Sequence, residues 1–253
     1  MHPYVELVWY KAYADLRAEG ARAYLGMLWW VLEPLLQMTV YYIVFGYLLQ
    51  RGGPGFIYFL LCGLVTWRWF ANSLLRGAGA ISSNAGLMSQ VYLPKYLFPP
   101  MAIIANFLKF LIVFLLFLAF LIFSGSALHW SWITLPFLLA TQMLLIAACS
   151  SLLAAVMPFL PDLKMLIENG LTLWMFMSGV FYDITALPER AQLYFRLNPM
   201  ATLIENYRAV LIQGAWPDWP ALGIIASVSM LGIGAALYLL MRYDRIYPRA
   251  VMS

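Results

Sequence analysis

Charge is the scarcest property of this chain of 253 residues: lysine, arginine, aspartate and glutamate together make up 10% of it, against about a quarter in soluble domains. So few ionised groups leave a domain of this size unable to cover itself against water, which excludes a soluble enzyme or binding module. Histidine and cysteine occur twice each. Cys62 and Cys149 stand far apart in apolar runs without a Cys-x-x-Cys spacing, so neither a disulfide framework nor a zinc site is expected and both read as packing residues. There is no Gly-x-x-x-x-Gly-Lys-[Ser/Thr], and no lysine follows a glycine; the chain is not expected to hydrolyse ATP alone. It also lacks His-Glu-x-x-His and Gly-x-Ser-x-Gly, so metal-dependent and serine-hydrolase chemistry are not expected. The formal charge of +4 is small and dispersed, which argues against nucleic acid and leaves the basic residues to orient the chain.

What remains is apolar: 64% hydrophobic residues and 17% aromatic. The reading is an all-α integral membrane protein with six spans. These are expected near 29–49, 56–75, 99–123 and 133–157, then a fifth after the turn 158–164 ending near Tyr182, and a sixth at 219–241. Arg51-Gly-Gly-Pro54 turns between the first two, and the polar break from Ser124 to His129 divides the uncharged stretch 110–161. Ahead of the spans, 1–24 reads as an amphipathic helix on the membrane surface: Val5, Val8, Trp9, Ala12 and Leu16 recur at helical spacing, and Lys11, Asp15, Glu19 and Arg22 form a charged stripe. A cleavable signal peptide is not expected, because the charged stretch precedes any apolar core. With both termini cytoplasmic, Lys11, Arg17, Arg22, Arg76, Lys95, Lys164, Arg242, Arg245 and Arg249 lie inside and Arg51, Arg190, Arg196 and Arg208 outside, the asymmetry that the positive-inside rule favours. His2 and His129 then fall on opposite sides. The external segment holds apolar runs too short to span, so 183–213 is expected to form two short re-entrant helices. Asn198-Pro199 would turn between them, with Thr202 as the cap of the second.

Glu33, Arg68, Lys109 and Glu168 sit in or near the spans. Ionised groups there face protein or water, so they serve either a transport path or simple pairing and snorkelling. Tyr41, Tyr42, Trp67, Trp69, Phe70, Trp174, Phe181 and Tyr182 cluster near span ends and along three spans. They make either an interfacial belt or the walls of a wide path on which flat sugar rings stack weakly. Ala147, Ser151 and Ala155 form a small-residue stripe, either an internal seam or a dimer contact.

The order of motifs along nearly the whole chain resembles the type-2 permease subunits of ABC transporters that export polysaccharides and polyol phosphates, of the O-antigen, capsule and teichoic acid types. Leu25-Gly-Met-Leu-Trp-Trp-Val-Leu-Glu-Pro-Leu-Leu36 and Val40-Tyr-Tyr-Ile-Val-Phe-Gly46 are similar to that family's first span. Gly63-Leu-Val-Thr-Trp-Arg-Trp-Phe-Ala71 and Asn84 through Val91-Tyr-Leu-Pro-Lys95 follow. Ser178-Gly-Val-Phe-Tyr182, Leu187-Pro-Glu189, Leu197-Asn-Pro-Met200 and Ile204-Glu-Asn-Tyr-Arg208 resemble its late external region. Pro161 stands where the family commonly has arginine, so no salt bridge carries over to Asp162.

The resemblance implies a homodimer in the bacterial inner membrane with two copies of a separate ATPase subunit. ATP and magnesium belong to that subunit, and no cofactor is expected in this chain. It implies a lipid-linked glycan as substrate and envelope-spanning export proteins as further partners. By the same analogy, 84–95 is a coupling helix in which Asn84, Val91, Tyr92, Pro94 and Lys95 meet the ATPase, and 183–213 caps the exit. Arg17 and Arg22 meet a lipid-linked phosphate at the entrance, and the eight aromatics above wall the path. Exporters of small hydrophobic molecules or lipids share the fold and are the nearest alternative, ahead of a membrane glycosyl- or acyltransferase and a structural scaffold.

Overall fold

The computed structural model describes residues 3–22, 26–48, 55–124 and 129–252; the expected turn at Arg51–Pro54 and most of the break after Ser124 lie outside them. Every regular element among the described residues is a helix. In chain order these are α1 (Pro3–Arg22), α2 (Trp29–Tyr41, continued as a wider π-turn over Tyr42–Leu48), α3 (Phe56–Ala78), α4 (Ala80–Ser83), α5 (Ala85–Gln90), α6 (Phe98–Phe123), α7 (Leu135–Val156), α8 (Leu163–Phe176), α9 (Glu189–Arg196), α10 (Pro199–Arg208, continued over Ala209–Gln213), α11 (Trp219–Arg242) and α12 (Tyr247–Met252).

Helix α3 is the hub, packing against α6, α7, α10, α2 and α8. Lipid is as apolar as the side chains, so close contact rather than water exclusion holds such helices together, and the sequence supplies it in two ways. Trp69 of α3 stacks on Phe110 of α6 with ring centroids 4.1 Å apart. Gly77 admits α7 so closely that an added Cβ would lie 2.6 Å from the Ser150 Cβ. Helix α11 packs on α7, with Gly232 against Ala148. Ser151 and Ala155 are buried within this bundle and Ala147 packs on the core, so the small-residue stripe serves an internal seam.

Among the described residues three segments are long and apolar enough to cross a membrane: Lys95–Phe123, Trp130–Phe159 and Trp219–Arg242. Helix α3, at 23 residues, is about 34 Å long at 1.5 Å per residue. The fifth expected span is shorter than the sequence suggested: α8 stops at Phe176 after 14 residues, about 21 Å, because Gly179 takes a left-handed conformation at φ 66° and turns the chain. A second apolar cluster gathers Val8 of α1, Ile81 of α4, Leu93, Phe98, Leu240 and Tyr247, so the two ends of the chain and the 84–95 segment meet at one end of the bundle.

At the other end a single side chain ties three elements. Arg208 is 4% exposed; its guanidinium donates to Gly179 O (Nη1, 2.7 Å), Val180 O (Nη2, 2.9 Å) and Phe59 O (Nε and Nη2, both 3.3 Å) and lies 3.3 Å from the centre of the Phe59 ring. The charge is met by carbonyl dipoles rather than a carboxylate. The sequence counted Arg208 only as a cation on the external side; the structure shows that its side chain is an internal staple. Gly63 makes room for it, since a Cβ there would lie 2.8 Å from Nη2. Arg208→Ala leaves those buried carbonyls unsatisfied at roughly 1–3 kcal/mol each, so the thermal unfolding midpoint of the detergent-solubilised protein should fall clearly, and that of Gly63→Ala by less; an unchanged midpoint for Arg208→Ala contradicts the staple.

Candidate functional site

Helix periodicity places Arg68, Asn72 and Arg76 in one row along α3, and α6 turns Asn106 and Lys109 toward them. All five line a cavity of about 120 Å³ together with Glu19 of α1 and Glu33 and Trp30 of α2. Glu19 lies at the same heptad spacing as Val8 and Ala12, the buried face of α1, so its carboxylate points into the bundle and not along a solvated stripe. Arg76 grips it as a fork, Nη1 to Oε2 and Nη2 to Oε1, both at 2.7 Å. Lys109 donates to Oε2 from the other side, and its ammonium lies 5.5 Å from the Trp30 ring centre. Arg68 pairs with Glu33. Partial burial pushes the Glu19 carboxyl up, but the hydrogen bonds from Arg76 and Lys109 outweigh it and hold the group at about 2, against an ordinary 4.5. A depressed pKa stabilises the fold above the ordinary carboxylate range and ceases to as pH falls from about 4.5 through about 2. The Glu19 carboxyl is thus ionised at physiological pH.

A second cleft, about 1110 Å³, opens at the end of the bundle where the chain termini meet and is lined by Lys11, Asp15, Asn84 and Lys164 among others. Glu19, Arg76 and Asn106 border both cavities, so this charge cluster stands at their junction. The sequence had singled out Glu33, Arg68 and Lys109, with pairing as one reading, and the first of these pairs with the second; it had not joined Glu19 to Arg76 or Lys109, and the resemblance had assigned entrance contacts to Arg17 and Arg22. Arg17 is exposed on α1; the side chain of Arg22 lies outside the described residues. Glu168 is exposed and sits 3.9 Å from Lys164, one turn away on α8.

The 84–95 segment is built as a helix, a turn and a braced tip. Asn84 joins α4 to α5, its Nδ2 donating to Ala80 O at 2.8 Å. After α5 the backbone becomes extended at Val91. Val91 and Tyr92 project, 55% and 71% exposed, while Pro94 is half-buried and Lys95 is buried. The brace is Asp244, just beyond α11: it accepts from Lys95 N at 2.8 Å and Tyr92 OH at 2.7 Å, and lies 3.6 Å from Lys95 Nζ. Lys95 Nζ is 4.5 Å from the Tyr92 ring centre. Asp244 was missed from the sequence, although a lone acid among Arg242, Arg245 and Arg249 was a signal. Helix α12 is seated beneath by Tyr247, which donates to Ala155 O at 3.1 Å.

Of the eight aromatics expected along a path, Trp67, Trp69, Phe70 and Phe181 are buried in the core of the chain. Trp174 meets Trp67 and Phe70 edge-on, at 6.0 and 5.2 Å between centroids. Tyr41 packs on Phe181 at 4.6 Å, and Tyr182 donates to Phe176 O at 2.6 Å. Tyr42 is 40% exposed. The rings thus fasten α2, α3 and the end of α8 to one another. Trp174 Nε1 also donates to Asn198 Oδ1 at 3.0 Å, and the same oxygen caps α10 by accepting from Met200 N at 3.0 Å and Ala201 N at 3.4 Å. The cap expected at Thr202 is therefore Asn198: Pro199 occupies the first turn, where its missing N–H costs nothing, and fixes the helix start ahead of Thr202. Among the described residues no cluster of His, Cys, Asp or Glu is placed to hold a metal.

An all-helical bundle of apolar segments with its ionised groups paired inside is an integral membrane protein. The chain belongs to the ABC-2 type transporter family, which its residues 16–212 match. It is 31% identical to the O-antigen export system permease protein RfbA of Myxococcus xanthus over 88% of this chain and 86% of that protein. A Klebsiella pneumoniae protein of the same name is 24% identical over 90% and 89%, and the polysialic acid transport protein KpsM of Escherichia coli is 28% identical over 88% and 89%. Membership makes the chain a membrane transport component and implies an ATPase in a separate subunit, which carries the ATP and magnesium.

Asp244→Ala removes the carboxylate from the buried Lys95 ammonium, a loss of roughly 3–5 kcal/mol for a buried pair. Trypsin should then cleave after Lys95 faster in native membranes, with Asp244→Asn intermediate; equal cleavage rates contradict the brace.

Proposed function

We propose that this chain is the permease subunit of an ATP-driven exporter that moves a lipid-linked polysaccharide outward across the bacterial inner membrane. Two copies form a dimer bound to two ATPase subunits, and envelope-spanning proteins continue the path. The observation that carries this reading is the likeness, over nearly the whole chain, to permeases named for O-antigen and polysialic acid.

Six crossings with both termini cytoplasmic fit the packing. Helix α1, the 84–95 segment and α12 gather at one end, and α9 and α10 lie near the Ser178 end of α8. At the cytoplasmic end, Val91 and Tyr92 are the exposed tip that enters the ATPase, with Asn84, Pro94 and Lys95 shaping it from behind. ATP-driven closure of the ATPases presses on this tip, and the Lys95–Asp244 brace passes the displacement to the foot of α11. Segment 183–213 is the external gate. Arg17 and Arg22 flank the entrance on the α1 side. Tyr42, Tyr41, Trp174 and Tyr182, the rings with free surface, form the wall that sugars touch; Trp67, Trp69, Phe70 and Phe181 support it from the core.

Coexpression with the ATPase encoded beside it should yield a two-plus-two complex by native mass spectrometry. Val91→Asp should lower recovery of that complex about tenfold, as loss of a central hydrophobic anchor does, while the permease keeps its thermal midpoint. Full recovery of the complex from this variant removes the tip from the interface.

A further inference from the structure

Arg76 and Lys109 belong to different helices of the bundle, yet both are aimed at one point, which the Glu19 carboxylate fills. Among the described residues Glu19 is the sole carboxylate paired with either cation. Its two oxygens receive three donors, the Arg76 fork and the Lys109 ammonium, an arrangement that suits a phosphoryl oxyanion at least as well as a carboxylate. The cavity is not neutral with its own carboxylates in place: Arg68, Arg76 and Lys109 line it against Glu19 and Glu33, leaving one cation in excess. Glu19 also arrives on a peripheral helix that packs chiefly against α6. Helix α1 has Val8 and Ala12 as its buried apolar residues and exposes Trp9, Tyr10 and Tyr13. The seat lies where the 1110 Å³ cleft meets the inner cavity, beside the helix that the sequence reads as lying on the membrane surface, where lipid headgroups are within reach.

We propose that Arg76 and Lys109 form a seat for a phosphoryl anion and that Glu19 fills it as a resident placeholder. A phosphate-bearing lipid headgroup takes the seat by expelling Glu19, and that exchange loosens α1 from the bundle. Exchanging one carboxylate for a phosphodiester conserves charge, and a monoester dianion in addition neutralises the excess cation. Glu19 is thus a competitor as well as a tether, and a ligand without the phosphoryl charge leaves α1 in place. The lipid-linked substrate of the proposed exporter carries such a headgroup if it is joined through phosphate, and in that respect the inference rests on the function proposed above. The seat itself is tested without the ATPase or transport.

The full-length protein in phosphatidylcholine nanodiscs is titrated with polyprenyl phosphate, with the uncharged polyprenol, and with inorganic phosphate, and bound lipid is counted by native mass spectrometry. Glu19→Gln should bind polyprenyl phosphate about tenfold more tightly than the parent, the effect of removing one charge-assisted competitor. Adding Arg76→Gln and Lys109→Gln should abolish that gain, and polyprenol should distinguish none of the variants. In the parent, polyprenyl phosphate should speed tryptic cleavage after the exposed Arg17, while Glu19→Gln is cleaved fast without it. A purely structural Glu19 predicts the tryptic change in Glu19→Gln but no gain in binding; that result, or equal binding of polyprenol, overturns the seat. Competition by inorganic phosphate at matching concentration overturns the assignment to a lipid headgroup and makes free phosphate the occupant. Should Glu19→Gln fail to assemble, Glu19→Asp, one methylene shorter, is read instead: a smaller gain supports the seat and no gain overturns it. Intact binding with no export by the ATPase complex contradicts the proposed function and leaves the seat standing.

Discussion

Lipid cannot solvate a charge or a free backbone group, so every ionised side chain within this bundle must find its partner in the protein. Three such partnerships organise the molecule, and each joins a peripheral element to a central helix. Arg208 fastens α10 to the start of α3 and the turn after α8 through carbonyl oxygens. Glu19 fastens α1 to α3 and α6 through Arg76 and Lys109. Asp244 fastens the 84–95 segment to the foot of α11 through Lys95 and Tyr92. Between these points the helices are held chiefly by close packing, ring on ring at Trp69 and Phe110 and backbone near backbone at Gly77, with the Arg68–Glu33 pair and a few hydrogen bonds such as Trp174 to Asn198 beside it.

The three fastenings differ in how readily they exchange. Arg208 is buried and has several acceptors, so releasing it exposes a charge and strands carbonyls together. The Glu19 cluster borders open cavities, where an incoming anion or water can replace the carboxylate at modest cost. The Asp244 brace lies between: Lys95 is buried but Tyr92 reaches the surface. A transporter that alternates between two arrangements needs this gradation, because the cycle requires elements that shift on a core that does not.

Much of the architecture was legible in the sequence because apolar length is a strong signal in a chain with so little charge. The all-helical membrane class, the first helix and the turn at Asn198 were readable from period and composition, whereas the 84–95 segment with Val91 and Tyr92 was marked out only by the family resemblance. Boundaries set by one backbone angle were not: α8 was expected to run to Tyr182, and the left-handed turn at Gly179 ends it sooner. Pairing across the sequence was harder still. Nothing local in Glu19 announces that its partners lie 57 and 90 residues away, and Asp244 answers residues about 150 positions earlier. The charge count placed Arg208 on a side of the membrane but could not show that its side chain is buried, because that environment is set by Phe59 and Gly63 of another helix. The aromatics were identified as a group, but which of their faces remain open depends on packing that composition does not encode.

The central claim is that this permease, with its ATPase, carries a lipid-linked glycan outward. The most direct measurement reconstitutes both subunits in vesicles with the ATPase face outside, supplies glycolipid from the host strain, and follows the glycan becoming protected inside from an added glycosidase. The account predicts protection that requires ATP and is lost when the phosphate-binding lysine of the partner ATPase is replaced. ATP hydrolysis by an assembled complex that leaves the glycan fully accessible would contradict it.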